Sequence, residues 1–544
     1  MRKNIIIAAA FCLTAASQAV AQSTLTATIS ISYGTKYQYI DGFGGTGMNG
    51  QWADVYNASR VRALWGTGTN QVGLNIMRIR INPNESNWGE YKDPVRWARA
   101  TRKNSQFPLQ VFATPWTPPK KYKTSKSQIY QNEYGTNVWP LVEHSWGGQG
   151  SNGGAINPEY YDEYADFLMR YSQKMEDVGA PIDIISIQNE SDYTPTATDN
   201  GVEHASYESC IYSPKEMAAM TKALKDTLTA VGSEVKVMGP ECFGWGEHNY
   251  NNTLVNISDA KNSIDIWGNH LYGANDLSYI SGIRQKTGKN MWMTEYLIDY
   301  RNKDYNNLST DYIVFDDQNP YTGQFAAEYK MIKSLEDALA AGFSAYVYYG
   351  MTNDFFATSY NGNQSTSTLN KRAQVFGHYT RFATGKTRVK STLTDNKKHL
   401  IGGSAYVNEG KDTVSVFVLN TSATDTYSLV ISLPWVPGEG LQMMTSDDIK
   451  NDAGRVTETR NRVVTDLTEG LSSTRRQTVT LEPGSFYTFQ FVKLDTTDID
   501  EAEADPQDDA PEALFDLSGR PLTTQQKGVN IVRQKDGTAR KVIR

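Results

Sequence analysis

Ile184-Ile185-Ser186-Ile187-Gln188-Asn189-Glu190 is an apolar run that ends in two amides and a glutamate. Met291-Trp292-Met293-Thr294-Glu295-Tyr296 repeats the pattern, with its glutamate 105 residues later. A parallel strand buried on both faces reads as such a run, and in a (β/α)8 barrel the C-terminal strand ends carry the chemistry. The separation leaves room for several strand–helix units between the two. Two carboxylates reaching into one cleft are the minimum apparatus for hydrolysing a glycosidic bond.

Working outward, eight strand-like runs alternate with helical patterns: Ile40–Gly45, Ile76–Ile81, Leu109–Thr114, Ile182–Gln188, Val235–Met238, Ile264–His270, Asn290–Glu295 and Ala345–Tyr349. Helices are expected over Pro158–Met175 and Pro214–Val231, each with proline in the first turn, and over Phe325–Ala340. Eight units in series predict an α/β fold, a closed (β/α)8 barrel over residues 40–385, rather than an open sheet. Beyond 385 the helical period stops. His399–Val407, Thr413–Leu419, Tyr427–Leu433, Gln477–Leu481 and Ser485–Val492 alternate between turn residues and predict an antiparallel β-sandwich over 386–493. The alternating stretch 22–39 is expected to add strands to it, since chain ends often lie close together.

The chain's 544 residues exceed what one core usually accommodates. Lys plus Arg number 53 against 60 Asp plus Glu, for a net charge of −7. That balance argues against a nucleic-acid partner. Tyrosine (32) and tryptophan (11) are abundant; such rings pack on the apolar faces of sugars, though a large core also absorbs them. Residues 1–21 read as a signal peptide: Arg2 and Lys3, the apolar run Ile5 to Ala16, then Ala19-Val20-Ala21. Its removal takes the charge to −9. No later run is long enough to span a bilayer, so a secreted, periplasmic or cell-surface protein is expected, and a monomer by default. Cys12 leaves with that segment. Cys210 and Cys242 remain, either as a disulfide that export would permit or as two thiols. Residues 494–512 are acidic and read as a disordered linker. Residues 513–544 resemble short C-terminal tails of exported Bacteroidota proteins, too small for a core of their own, with sorting as one possible role.

Candidate catalytic residues are Glu190 and Glu295. A general acid must hold its proton at working pH, which burial and a second carboxylate nearby provide. A glutamate after a strand is otherwise a helix cap or a solvated residue. Asn189 could bond a substrate hydroxyl. His270 and Tyr272 could hold Glu295 ionised, with a satisfied core imidazole as the bland reading of His270. Arg78 and Arg80 share one face of an apolar strand and are costly there unless paired. Neither metal-ligand spacing nor a phosphate loop is present, and Gly42-Phe43-Gly44-Gly45 lacks the dinucleotide pattern. No cofactor or metal is expected.

In order along the chain, Asp41-Gly42-Phe43-Gly44-Gly45-Thr46-Gly47-Met48-Asn49, Leu74-Asn75-Ile76-Met77-Arg78, Pro115-Trp116-Thr117-Pro118-Pro119, Gln188-Asn189-Glu190, Asn269-His270-Leu271-Tyr272-Gly273, Trp292-Met293-Thr294-Glu295 and Lys371-Arg372 resemble glycoside hydrolase family 30, and within it the subfamily 8 bacterial xylanases. The resemblance implies a barrel with a side β-sandwich built from both chain ends, and a retaining mechanism. It casts Glu190 as acid/base, Glu295 as nucleophile and Arg78 as a carboxylate partner. It also implies substrate contacts at Trp116, Asn189, His270, Tyr272 and Tyr296. The substrate would be xylan or a related β-linked polysaccharide. A β-1,6-glucanase or other β-glycosidase of the same family, a non-catalytic carbohydrate-binding protein and a surface adhesin are the alternatives. Two departures stand out. Many subfamily 8 members hold a glucuronate branch with an arginine after the eighth strand, but no arginine occurs between Tyr346 and Asn370. An endo-β-1,4-xylanase that does not depend on glucuronate branches is therefore expected, with Arg301 or Lys303, after the seventh strand, as the alternative anchor. The loop from Ser191 to Tyr212 is longer than the family usually has.

Overall fold

The computed structural model describes residues 24–47, 57–143, 150–246, 249–273, 277–298, 326–358, 364–422, 424–451, 455–495, 513–515, 520–524, 529–533 and 539–543. Eight parallel strands close a barrel: Gly42–Gly47, Ile76–Ile81, Gln110–Pro115, Ile184–Ser186, Lys236–Cys242, Ile266–His270, Asn290–Tyr296 and Ala345–Tyr348. They pair in sequence order, and the eighth returns to the first through Ala345↔Gly42 to Tyr348↔Gly45. Each of the eight runs read from the sequence coincides with one of them.

Alternation sorts each strand's side chains between two cores. Ile76, Phe112, Ile184, Met238, Ile266, Trp292, Ala345 and Val347 pack together inside the barrel. Their chain neighbours Met77, Val111, Ile185, Val237, Trp267 and Met291 pack outward against the helices. Glycine keeps the first strand thin where the interior is tightest: a Cβ at Gly44 would stand 2.6 Å from Ile76 Cβ. The helices start where the sequence says. Tyr161–Asp177 follows a 3-10 turn at Pro158–Tyr160 capped by Asn157. Pro214–Ala230 opens with a capping box between Ser213 and Glu216. Ala326–Ala341 is the helix that precedes the eighth strand.

The side unit is a nine-stranded sheet. Thr24–Tyr39 lies within it, antiparallel to Thr387–Asp395 and parallel to Thr426–Ser432, so the sheet is mixed rather than wholly antiparallel. Side chains from Ala27 to Phe491 meet in one apolar cluster, so the sheet folds over a core of its own. The helix Lys371–Phe382 seals it to the barrel. His378 bonds Thr488 Oγ1 (2.8 Å) and Thr445 Oγ1 (2.9 Å), and the Tyr379 ring stacks 4.6 Å from Phe417.

Of the two alternatives open for Cys210 and Cys242, the structure has the second: both are buried free thiols. In the tail, Ala513–Phe515, Pro521–Leu522, Val529–Arg533 and Ala539–Ile543 form a four-stranded antiparallel sheet that buries Val532. The leader at 1–21, most of the acidic linker, and Arg301 and Lys303 lie outside the described residues. No described helix is long and apolar enough to cross a membrane.

Candidate active site

The glutamates meet at the C-terminal rim of the barrel because three strand ends depart from regular geometry. Beyond Ser186 the chain is tied to both neighbouring strands: the Asn189 amide donates to Pro115 O (2.9 Å) and the Glu190 amide to Glu241 O (2.8 Å). Glu190 and Glu241 both adopt φ of +51°. Non-glycine residues seldom adopt this left-handed conformation, and it marks a constrained position. In the seventh strand Trp292 points into the barrel, so strict alternation would turn Glu295 outward. A register shift pairs His270 with Glu295 in place of Thr294, and the extra residue turns the carboxylate back over the mouth.

Arg78 is the centre of what results. It is fully buried. Its Nη1 pairs with Glu295 Oε2, while Nη2 lies 3.0 Å from Glu241 Oε1 and donates to Asn189 Oδ1 at 2.7 Å. Its guanidinium carbon sits 4.6 Å from the Trp116 ring centroid and 5.7 Å from that of Phe112. A guanidinium can be buried at such a place because its planar fork meets two carboxylates at once. Arg80, two residues on, pairs with Glu208. Both arginines of the strand therefore find carboxylates.

Glu241 was not anticipated, although Val235-Lys236-Val237-Met238-Gly239-Pro240-Glu241 carries the same signal as the other two glutamates. It is fully buried and accepts a hydrogen bond from Thr114 Oγ1 (2.9 Å). Burial alone would raise its pKa. The Arg78 charge and the His270 ring outweigh that and hold it down at about 2. His270 is equally buried. Its Nδ1 is 3.3 Å from Glu190 Oε1, and its Nε2 is 3.7 Å from Glu241 Oε1 and 3.9 Å from Glu295 Oε2. Burial pulls the imidazole down, but the Glu295 charge, the contact with Glu190 and the nearby Glu241 carboxylate push it up to about 9. It is thus an imidazolium at neutral pH rather than a neutral core ring.

One carboxylate oxygen each of Glu190 and Glu295 and one His270 nitrogen lie within 4.8 Å of one another. The set is compact enough to consider for a cation, but Arg78 and protonated His270 already supply positive charge among these acids, so it suits acid–base work better than metal binding. Glu295 Oε1 accepts from the Tyr272 hydroxyl at 3.1 Å. Burial and the Glu295 charge keep that phenol protonated well beyond its usual range. Glu190 Oε2 accepts from the Tyr207 hydroxyl at 2.7 Å, a contact not anticipated from the sequence. The Tyr272 ring continues into an aromatic row, with Tyr296 at 5.6 Å and Phe243 at 5.5 Å, and Tyr193 stacked 4.2 Å beyond Phe243. Trp116 is nearly buried, with Arg78 against its ring, and Tyr296 is buried. All eight candidate residues therefore gather at one mouth.

No protein-family model matches the chain. Glucuronoxylanase XynC of Bacillus subtilis (strain 168) is 26% identical over 414 residues, covering 75% of this chain and 81% of that protein. The solved glycoside hydrolase family 30 subfamily 8 xylanase Xyn30A of Clostridium acetobutylicum superposes with a TM-score of 0.60 at 23% identity, covering 86% of this chain and 99% of that one. The endo-β-1,6-glucanase BT3312 superposes with a TM-score of 0.57 at 16% identity, over 86% and 94%. These two structural likenesses speak to the fold. With the sequence relative, they uphold the resemblance to family 30 drawn from the motifs.

Proposed function

We propose that this chain, a glycoside hydrolase similar to family 30 in sequence and fold, is a secreted, retaining endo-β-1,4-xylanase. The observation that carries the mechanism is the approach of Glu190 and Glu295 oxygens to within 4.8 Å. Between whole carboxyl groups retaining pairs sit at about 5–5.5 Å and inverting pairs at roughly 6.5–9.5 Å, and so close an approach of single oxygens favours the shorter class. In this reading Glu295 attacks the anomeric carbon while Glu190 delivers its proton to the departing glycosidic oxygen. Glu190 then takes a proton from the water that cleaves the glycosyl ester. Arg78 and Tyr272 each meet one oxygen of Glu295 and keep it aimed. Asn189, fixed by Arg78, is placed to bond a hydroxyl of the bound sugar.

Glucuronate is not the essential anchor in this reading. The loop after the eighth strand offers Asp354, which accepts from the Tyr348 hydroxyl (2.6 Å) and pairs with Arg372 Nη1 (3.1 Å). An acid stands where a carboxylate-binding cation would be needed, and the nearby arginine is already engaged with it. The leader-like segment at 1–21 supports export.

The test is product analysis on linear xylo-oligosaccharides, glucuronoxylan and β-1,6-glucan, with the first-formed anomer read by NMR. Comparable cleavage of linear and branched xylan with retained configuration is expected. Cleavage of glucuronoxylan alone would overturn the glucuronate argument. Cleavage of β-1,6-glucan alone would replace the substrate, and an inverted product would overturn the mechanism.

A further inference from the structure

The long segment after Glu190 does more than connect a strand to a helix. It forms a hairpin, Thr196–Asp199 against Val202–Ala205, and returns to the rim through Ser206-Tyr207-Glu208-Ser209. The return is fixed on several sides. Glu208 pairs with Arg80 of the second barrel strand and bridges to Asn152. Asn152 Nδ2 donates to Ala205 O (3.1 Å), and Ser209 Oγ accepts from the Gly153 amide (2.9 Å). Beneath them the buried Lys123 ammonium donates to Ser209 O (2.6 Å), Ser151 Oγ (3.0 Å) and Thr117 Oγ1 (3.0 Å). A ring carried on so anchored a backbone holds its place. Its hydroxyl lies 2.7 Å from Glu190 Oε2.

Which oxygen of Glu190 meets the substrate follows from what faces each. Oε1 faces the fully buried His270. Oε2 faces Tyr207, which is 38% exposed. Oε2, on the less enclosed side, is the oxygen assigned to meet the glycosidic oxygen. We propose that Tyr207 is a positioning residue for acid catalysis. Its hydroxyl sets the rotamer of the Glu190 carboxyl so that Oε2 presents the proton. It also stabilises the carboxylate left once that proton has moved to the leaving oxygen. A hydrogen bond to an ionised oxygen is stronger than to a neutral one, so this contact tightens as the transfer proceeds. The hairpin is thus the element that brings a second donor to the acid, opposite the one built into the barrel. The inference rests on the xylanase reading and on Glu190 as its acid.

The experiment compares kcat/KM of wild type and Tyr207→Phe on two substrates. One is a linear xylo-oligosaccharide, whose leaving alcohol must be protonated. The other is a dinitrophenyl β-xylobioside, whose leaving group departs without a proton. The expected loss is roughly 10-fold or more on the oligosaccharide and less than about 3-fold on the activated glycoside. Thr196→Val, which removes an exposed hairpin bond to Glu203, is expected to leave the ratio of the two unchanged. Equal losses on both substrates in Tyr207→Phe, or no loss on either, would overturn the inference while leaving the enzyme a xylanase. A shifted ratio in Thr196→Val would assign the effect to the hairpin's fold and overturn it as well. A wild type that turns over neither substrate would defeat the xylanase reading and the inference with it.

Discussion

Glu241 and Glu336 are the same residue type at similar burial, and they end in opposite states. Glu241 stands at the barrel mouth, 3.0 Å from Arg78, and is held ionised with a pKa of about 2. Glu336 stands at the seam between barrel and side sheet, where the Tyr379 hydroxyl (2.8 Å) and Ser404 Oγ (2.9 Å) donate to it. There burial dominates and pushes it up to about 7. Hydroxyl donors at the seam offset only part of the desolvation, whereas a guanidinium at the mouth reverses it. The seam thus joins two units with a carboxyl that can stay neutral. The mouth keeps three glutamates, an arginine and an imidazolium in one place, a costly arrangement that only chemistry explains.

The largest effects are expected where the mouth's charges do the chemistry. Glu295→Gln should lower turnover on every substrate by a factor on the order of 10⁴ or more, since no covalent step can begin. Glu190→Gln should do comparable damage on unactivated xylan but spare a dinitrophenyl glycoside in the first step. A burst of dinitrophenol followed by slow turnover would reveal it. Similar losses for both variants on both substrates would contradict the assignment of distinct roles.

Next in size is the network's dependence on its cation. Arg78→Met leaves Glu241 and Glu295 buried without their shared partner. Removing one member of a buried pair typically costs about 3–5 kcal/mol. Urea unfolding should show that loss together with near-abolished activity. A variant that lost activity but kept wild-type stability would mean the acids had taken up protons at little cost, and the contrast with Glu336 would shrink accordingly.

Much of this was readable in the sequence, for identifiable reasons. The barrel strands are buried on both sides, so their apolar runs stand out, and proline and the Ser213–Glu216 pair mark helix starts. Arg78 was legible because charge inside an apolar strand demands a partner. What escaped lies where backbone geometry or distance along the chain decides. The bulge that turns Glu295 inward has no residue signature in Trp292-Met293-Thr294. Tyr207 reaches Glu190 only because Lys123, Ser151 and Arg80, all distant in sequence, pin the segment that carries it. The strands Thr387–Asp395 and Pro437–Ser446 were missed because their residues do not alternate cleanly between apolar and polar. Glu241 was overlooked although its run ends as the other two do.

The smallest effect sharpens the opening contrast most directly, because the two glutamates should drive stability in opposite directions with pH. Glu241 is depressed from an ordinary value of 4.5 to about 2. Its contribution is present above pH 4.5 and is lost as pH falls from 4.5 toward 2. Glu336 is raised from 4.5 to about 7, so the folded state binds its proton more tightly. Its contribution is complete below pH 4.5 and is lost as pH rises from 4.5 through 7. Each change amounts to roughly 3 kcal/mol across its window. Urea unfolding from pH 2.5 to 8 should therefore show Glu336→Gln flattening the neutral side, leaving acid sensitivity intact. Glu241→Gln should flatten the acid side, at some cost in stability at pH 7, where Arg78 loses a partner. His270, raised from 6.5 to about 9, adds stability that is complete below pH 6.5 and fades as pH rises from 6.5 through 9, so above pH 6.5 its slope adds to that of Glu336, and the difference between wild type and Glu336→Gln isolates the glutamate's share. If both glutamine variants changed the profile on the same side, the two acids would not differ in charge state, and the mouth would have no claim to be electrostatically distinct from the seam.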